Sequence, residues 1–176
     1  MDFKYLCGKE ELDMKFSNAK KFRCSMETGW KALHSPASLD VAPGSRVTVV
    51  SDVEWKAETA GSDGRTAAVT NYTASFDEEK KVVTIEGISD QKSSHDFIYL
   101  TLREVSPEEV ELEISVEINT GMHLIAKALG ALFSKPMEQI MCRHIYQNFE
   151  ALCEGKETKR MSQEELNDRA KNIFSK

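Results

Sequence analysis

The apolar residues of this chain follow two rhythms. An opening segment, Met14 to Ser25, carries Phe16, Phe22 and Cys24 as its apolar members and reads as a strand. Met26, Trp30 and Leu33 then fall at i, i+4 and i+7, the spacing of one face of a short helix. Pro36 ends it, since a proline pushes the residue before it out of the helical region. A brief second turn follows through Ser38-Leu39 to Pro43-Gly44. From there the period is two. Val47, Val49, Val53, Trp55 and Ala57 alternate with polar residues and read as one strand. Tyr72, Ala74 and Phe76 make the next, Val82 to Ile88 a third and His95 to Val105 a fourth. In the last strand Val110, Leu112, Ile114, Val116 and Ile118 alternate with Glu109, Glu111, Glu113, Ser115 and Glu117. A slip of one residue would bury the glutamates, so its register is set.

The helical rhythm returns after Gly121. Met137, Ile140, Met141, His144, Ile145, Asn148, Phe149 and Leu152 keep helical spacing over four turns. Pro136 suits the first turn of that helix, where its missing N–H would have no partner anyway. Leu124 to Phe133 then reads as a separate or bent helical piece before it. Beyond Gly155, Ser162 and Glu165 have the spacing of a capping box, and Leu166, Ala170, Ile173 and Phe174 form a narrow apolar stripe. These elements divide the chain into an N-terminal extension (1–13), one domain (14–154) and a polar tail with a short helix (155–176). The class is α+β, an antiparallel meander of about six strands with helices segregated from it.

Composition narrows the function. The chain has 176 residues and a net charge of −6. That charge argues against nucleic acid as the main partner. The basic cluster Lys20-Lys21-Phe22-Arg23 is too small to hold phosphates strongly and reads as a solvated strand end. No apolar run approaches the ~20 residues of a membrane span, and no signal-peptide core precedes the first strand. Four cysteines without a CxxC pair fit a reduced, cytoplasmic protein. His34, His95, His123 and His144 lack metal-ligand spacing, so neither a metal nor a cofactor is expected. Cys24 and Cys142 sit in apolar patterns and read as inert thiols.

Two local patterns carry a resemblance. Trp30-x-x-Leu33-x-x-Pro36-x-x-Leu39 followed by Pro43-Gly44 before a strand is similar to the helix pair after the first strand in the START-like superfamily. That group, also called SRPBCC, includes the Bet v 1 fold, polyketide cyclases and lipid-transport proteins. Met122 to Leu152, with Gly130 and a proline before a long helix, resembles its C-terminal element. The resemblance implies a helix-grip fold, a curved sheet closed around the long helix, with an apolar cavity between them. It implies binding or carriage of a small hydrophobic molecule such as a lipid, quinone, sterol or polyketide-like compound. A cyclase or hydrolase using the same cavity, or an accessory module for a protein partner, stands as the alternative.

The inward positions then supply the lining: Trp55, Tyr72, Phe76, Ile85, Tyr99, Leu112, Ile114, Met137, Ile140, Met141 and His144. If the protein is an enzyme, His144 and Tyr99 are the acid/base candidates. His95 and Asp96 are strand neighbours whose side chains point to opposite faces, so they do not make a dyad.

Overall fold

The computed structural model describes the backbone of residues 12–60, 65–90, 94–120 and 124–175, and the side chains there except at 12–14, 67, 94, 118–137 and 174. Strand β1 (Leu12–Phe22) leads to helix α1 (Met26–Leu33) and a short 3-10 helix (Pro36–Leu39). Six strands follow: β2 (Arg46–Ser51), β3 (Glu54–Ala60), β4 (Thr66–Asp77), β5 (Val82–Ser89), β6 (Ser94–Ser106) and β7 (Glu109–Thr120). Helices α2 (Leu124–Cys153) and α3 (Gln163–Phe174) end the chain. All seven strands form one antiparallel sheet in the order β1-β7-β6-β5-β4-β3-β2.

The alternation in β7 sorts the whole sheet. Val110, Leu112, Ile114 and Val116 are buried on the inner face, opposite Leu102, Leu100 and Ile98 of β6. Ile85 and Val83 of β5 continue the same face. Helix α2 covers it with Met141, Ile145 and Phe149. The glutamates lie on the outer face and meet cations there. Glu117 pairs with Lys15 at 3.4 Å, Glu109 with Lys21 at 3.7 Å and Glu111 with Arg103 at 3.7 Å. Lys20, on the inner face, lies over the Phe22 ring at 4.9 Å. Lys20 and Lys21 thus have partners within the domain.

Two sequence expectations are overturned. The alternation from Val47 to Ala57 belongs to two strands, because Asp52-Val53 turns the chain back between β2 and β3. Ser51 interrupts the apolar set just before that turn. β2 is one of the sheet's two edge strands, with Val49 and Val50 exposed and a register irregularity between Val49 and Ser51. The other correction concerns the C-terminal helix. α2 is one helix of 30 residues, so Pro136 lies in its interior and not in its first turn. Proline there leaves the carbonyl four residues earlier without its helical donor, at a cost of about 3 kcal/mol. Strong helix formers flank it, Ala131, Leu132 and Lys135 before and Met137, Glu138 and Gln139 after, and the helix runs on through it.

The tail is tied to the body through one buried carboxylate. Asp40, at the end of the 3-10 helix, has a left-handed backbone (φ 56°) and is 2% exposed. It accepts hydrogen bonds from His144 Nε2 (2.7 Å) and from the Met161 N–H (2.8 Å), and Arg160 lies 3.5 Å away. Asn148, one turn after His144, donates to the carbonyls of Leu39 and Lys159 and accepts from the Lys159 N–H. Met161 itself is buried, and its carbonyl accepts from the Gly44 N–H. Ser162 caps α3 by accepting from the Glu165 N–H, as the capping box anticipates. Asp40→Ala should therefore destabilise the fold by about 3–5 kcal/mol, since it leaves His144 and the Met161 N–H buried without their acceptor. Urea unfolding measures this, and a loss below about 1 kcal/mol, the scale of a surface pair, would contradict the clasp.

Candidate functional site

The inner face of the sheet carries one buried cluster. Under the second half of α2 it is a packed core. Farther along the strands, toward the start of β1 and the end of β7, the register lines up Trp55, Tyr72, Gly87 and Asp96 in one row across β3 to β6. Trp55 and Tyr72 are directly paired, with their rings 5.5 Å apart and 14° from parallel. They are 3% and 7% exposed.

Gly87 explains how the tyrosine lies down. A Cβ at this position would sit 2.5 Å from Tyr72 Cε1, closer than any real contact. The missing side chain lets the ring lie across β5, a common reason for glycine inside a strand. Asp96, beside Gly87 on β6, faces the same space and is half-buried. Burial pushes the Tyr72 hydroxyl well above the usual phenol range, and the Asp96 charge adds to the shift.

Among the described residues, neither the Trp55 indole N–H nor the Tyr72 hydroxyl has a hydrogen-bond partner. Buried Trp and Tyr ordinarily find one. The side chain of Met137, another expected lining residue, lies outside the described set.

Trp55 and Tyr72 belong to one buried cluster with several of the other expected lining residues. Ile85, Leu112 and Ile114 are fully buried in the packed core with Met141. Phe76 packs toward α1, where His34 stacks on it at 4.5 Å. Ile140 lines an open groove of about 1010 Å³ between β1, α2 and α3, together with Asn18, Tyr146 and Arg169. Tyr99 is on the outer face. Its neighbours Ile98 and Leu100 point inward, and it stacks with Phe97 at 6.3 Å. His144 turns away from the sheet into the Asp40 clasp. The two acid/base candidates therefore do not meet in any cavity. Both faces of β6 carry apolar residues, so the pattern around Tyr99 does not show which face is inward; for His144, helical spacing gives the stripe but not which part of the stripe meets the sheet.

His95 pairs with Glu86 at 2.7 Å on the outer face, while Asp96 points inward, as strand geometry requires. Sequence reasoning did not single out Gly87 or Asp40. The isolated glycine within a strand was the available signal for the first, and no periodicity marks the second.

Among the described residues, no group of His, Cys, Asp and Glu could hold a metal ion, and no helix is long and apolar enough to cross a membrane.

A curved antiparallel sheet gripping one long C-terminal helix defines the START-like, helix-grip class. Solved structures agree. A norcoclaurine synthase from Thalictrum flavum, in complex with dopamine and hydroxybenzaldehyde, superimposes with a TM-score of 0.60 over 90% of this chain and 97% of that one, at 9% identity. A START superfamily protein from Mycobacterium smegmatis gives 0.57 over 80% and 97%, at 10% identity. An aromatase/cyclase from Streptomyces gives 0.54 over 92% and 96%, at 8% identity. No protein-family model and no curated protein matches the sequence. The chain thus has the START/Bet v 1-like fold.

Gly87→Ala should cost about 1–3 kcal/mol through overpacking against the Tyr72 ring, read by chemical denaturation. The raised Tyr72 hydroxyl also has a pH consequence. The folded state holds the neutral phenol more strongly than the unfolded chain, so its contribution is complete below about pH 10 and is lost as pH climbs higher. Tyr72→Phe should flatten that alkaline loss of stability. An unchanged alkaline slope would contradict the placement of Tyr72.

Proposed function

We propose that this protein binds, and carries without transforming, a small and largely apolar molecule seated on the Trp55–Tyr72 pair between the sheet and the first half of α2. The observation that carries this reading is the pair of buried polar tips, one N–H and one hydroxyl, without a partner among the described residues. A ligand with one or two oxygen acceptors on an apolar or aromatic body would satisfy both. Lipids with a carboxyl or hydroxyl head, quinones, sterols and polyketide-like phenols share that chemistry. Apolar burial would drive binding at about 25 cal/mol per Å².

The fold adds support, because solved proteins that share it include one described with dopamine and hydroxybenzaldehyde and one described as an aromatase/cyclase. Enzymatic turnover in the same space would need an acid or base. Asp96 is the one ionisable side chain besides Tyr72 in the row, and His144 and Tyr99 lie elsewhere. We therefore favour carriage. We also assign the protein to the cytoplasm, with a small molecule rather than nucleic acid as its partner.

The chain has only two tryptophans, Trp30 and Trp55, so Trp30→Phe leaves Trp55 as the sole indole reporter. Oleate, decylubiquinone, cholesterol and a polycyclic phenol can be titrated against it. At least one should quench or shift Trp55 emission with roughly micromolar affinity and raise the melting temperature. Tyr72→Phe should weaken that ligand about 5–10-fold by removing one hydrogen bond. Silence from all four probes in both assays would overturn the reading.

A further inference from the structure

One row of the inner face has apolar rings toward one end and a carboxylate toward the other. Its register runs through Val49, Trp55, Tyr72, Gly87 and Asp96, from the edge strand β2 to β6. Val49 is exposed, so the row is open to solvent at the edge. Asp96 is half-buried, and its strand neighbours His95 and Phe97 point to the outer face, where His95 meets Glu86. Gly87 stands between Tyr72 and Asp96 with no side chain of its own, and the Tyr72 ring lies across it. Three strand spacings, about 14 Å, separate Asp96 from Trp55.

The neighbours make the carboxylate stand out. Beside the row on the same face lie Thr70 and Ser89 on one side and Ala74, Ile85 and Ile98 on the other, all of them apolar or neutral. A carboxylate on such a face is partly stripped of water, which costs free energy. Its field also reaches farther there than in bulk water. The Tyr72 hydroxyl feels that field, since the Asp96 charge helps to raise it. A molecule lying along the row meets rings under its body and a negative charge at its head.

We propose that Asp96 sets the charge class of the ligand: the Trp55–Tyr72 rings carry an apolar body, the Asp96 carboxylate takes a cationic amine head, and molecules bearing a carboxylate or phosphate are refused. This rests on the reading of the row as the ligand seat and narrows it, because the acids among the ligands named above drop out. An ammonium head donates a charge-assisted hydrogen bond, about twice as strong as a neutral one. An anionic head meets repulsion and gives up its hydration without return. Discrimination therefore comes as much from exclusion as from attraction. A hydroxyl head, a donor without charge, falls between the two.

The test titrates three probes with the same straight chain, decylamine, decan-1-ol and decanoate, into the full chain at neutral pH and low salt. Calorimetry reads affinity, and Trp55 emission in the Trp30→Phe protein reads the place of binding. Decylamine should bind about tenfold or more tighter than decanoate, with decanol between them. Added salt should narrow the gap. Asp96→Asn, close in shape and neutral, should weaken decylamine about tenfold and leave decanol within about twofold. Asp96→Glu should keep most of the preference. The chain carries a net charge of −6, which attracts amines to its whole surface. A preference for the amine that persists in Asp96→Asn would belong to that surface and would overturn the proposal. Decanoate binding as tightly as decylamine to the unaltered protein would overturn it too, whether or not the variants fold. The two readings fail differently. Decanol binding at Trp55 without any preference among heads would keep the seat and remove the role of Asp96, whereas silence from all three probes would remove both.

Discussion

The register of β7 is the constraint on which the rest of the molecule depends. Its inner residues Val110, Leu112, Ile114 and Val116 are all buried, and its outer glutamates meet Lys15, Lys21 and Arg103. Because β7 lies between β1 and β6, its pairing fixes which residues of both neighbours face inward, and the assignment passes strand by strand to β2. Moving β7 by one residue would place carboxylates under α2 and expose the apolar set. The position of Trp55 and Tyr72 on the concave side is thus settled several strands away, by charge as much as by hydrophobicity.

Helix α2 performs two tasks along its length. Its second half seals the core with Met141, Ile145 and Phe149, and on another face carries His144 and Asn148 into the clasp with Asp40 and the 159–161 segment. A buried ionic group of this kind adds less to net stability than its short distances suggest, because desolvation opposes the attraction. What it supplies is a unique arrangement. Asp40 accepts from the side chains of His144 and Arg160 and from the Met161 N–H, joining α2 to the 160–161 segment, so the tail has a single place to dock.

Much of this was legible beforehand. Helical spacing found α1 and the C-terminal half of α2, period-two spacing found β4 to β7, and Ser162 with Glu165 marked the start of α3. The α+β, helix-grip class followed from element order together with the resemblance. The losses have physical causes. A two-residue turn interrupts Val47–Ala57 without glycine or proline to announce it. Pro136 is tolerated inside a helix whose neighbours strongly favour that conformation. Among the expected lining residues with described side chains, the structure pairs Trp55 directly with Tyr72, because facing partners on adjacent strands are set by register rather than by apolarity. Phe76 and Tyr99 look equivalent to them in sequence, yet one stacks on His34 and the other lies outside.

The irregular edge strand has a consequence for how the molecule lives among its own copies. A valine-rich ribbon at the rim of an open sheet is a natural template for another chain. Here the slip between Val49 and Ser51 breaks the even spacing of amides and carbonyls that a docking strand would have to match. The exposed Val49 and Val50 side chains remain, but the ladder that could propagate a fibril is interrupted at the point of greatest adhesiveness. An imperfection in pairing thereby serves colloidal stability, and smoothing it out would make a more regular sheet at the expense of a well-behaved solution.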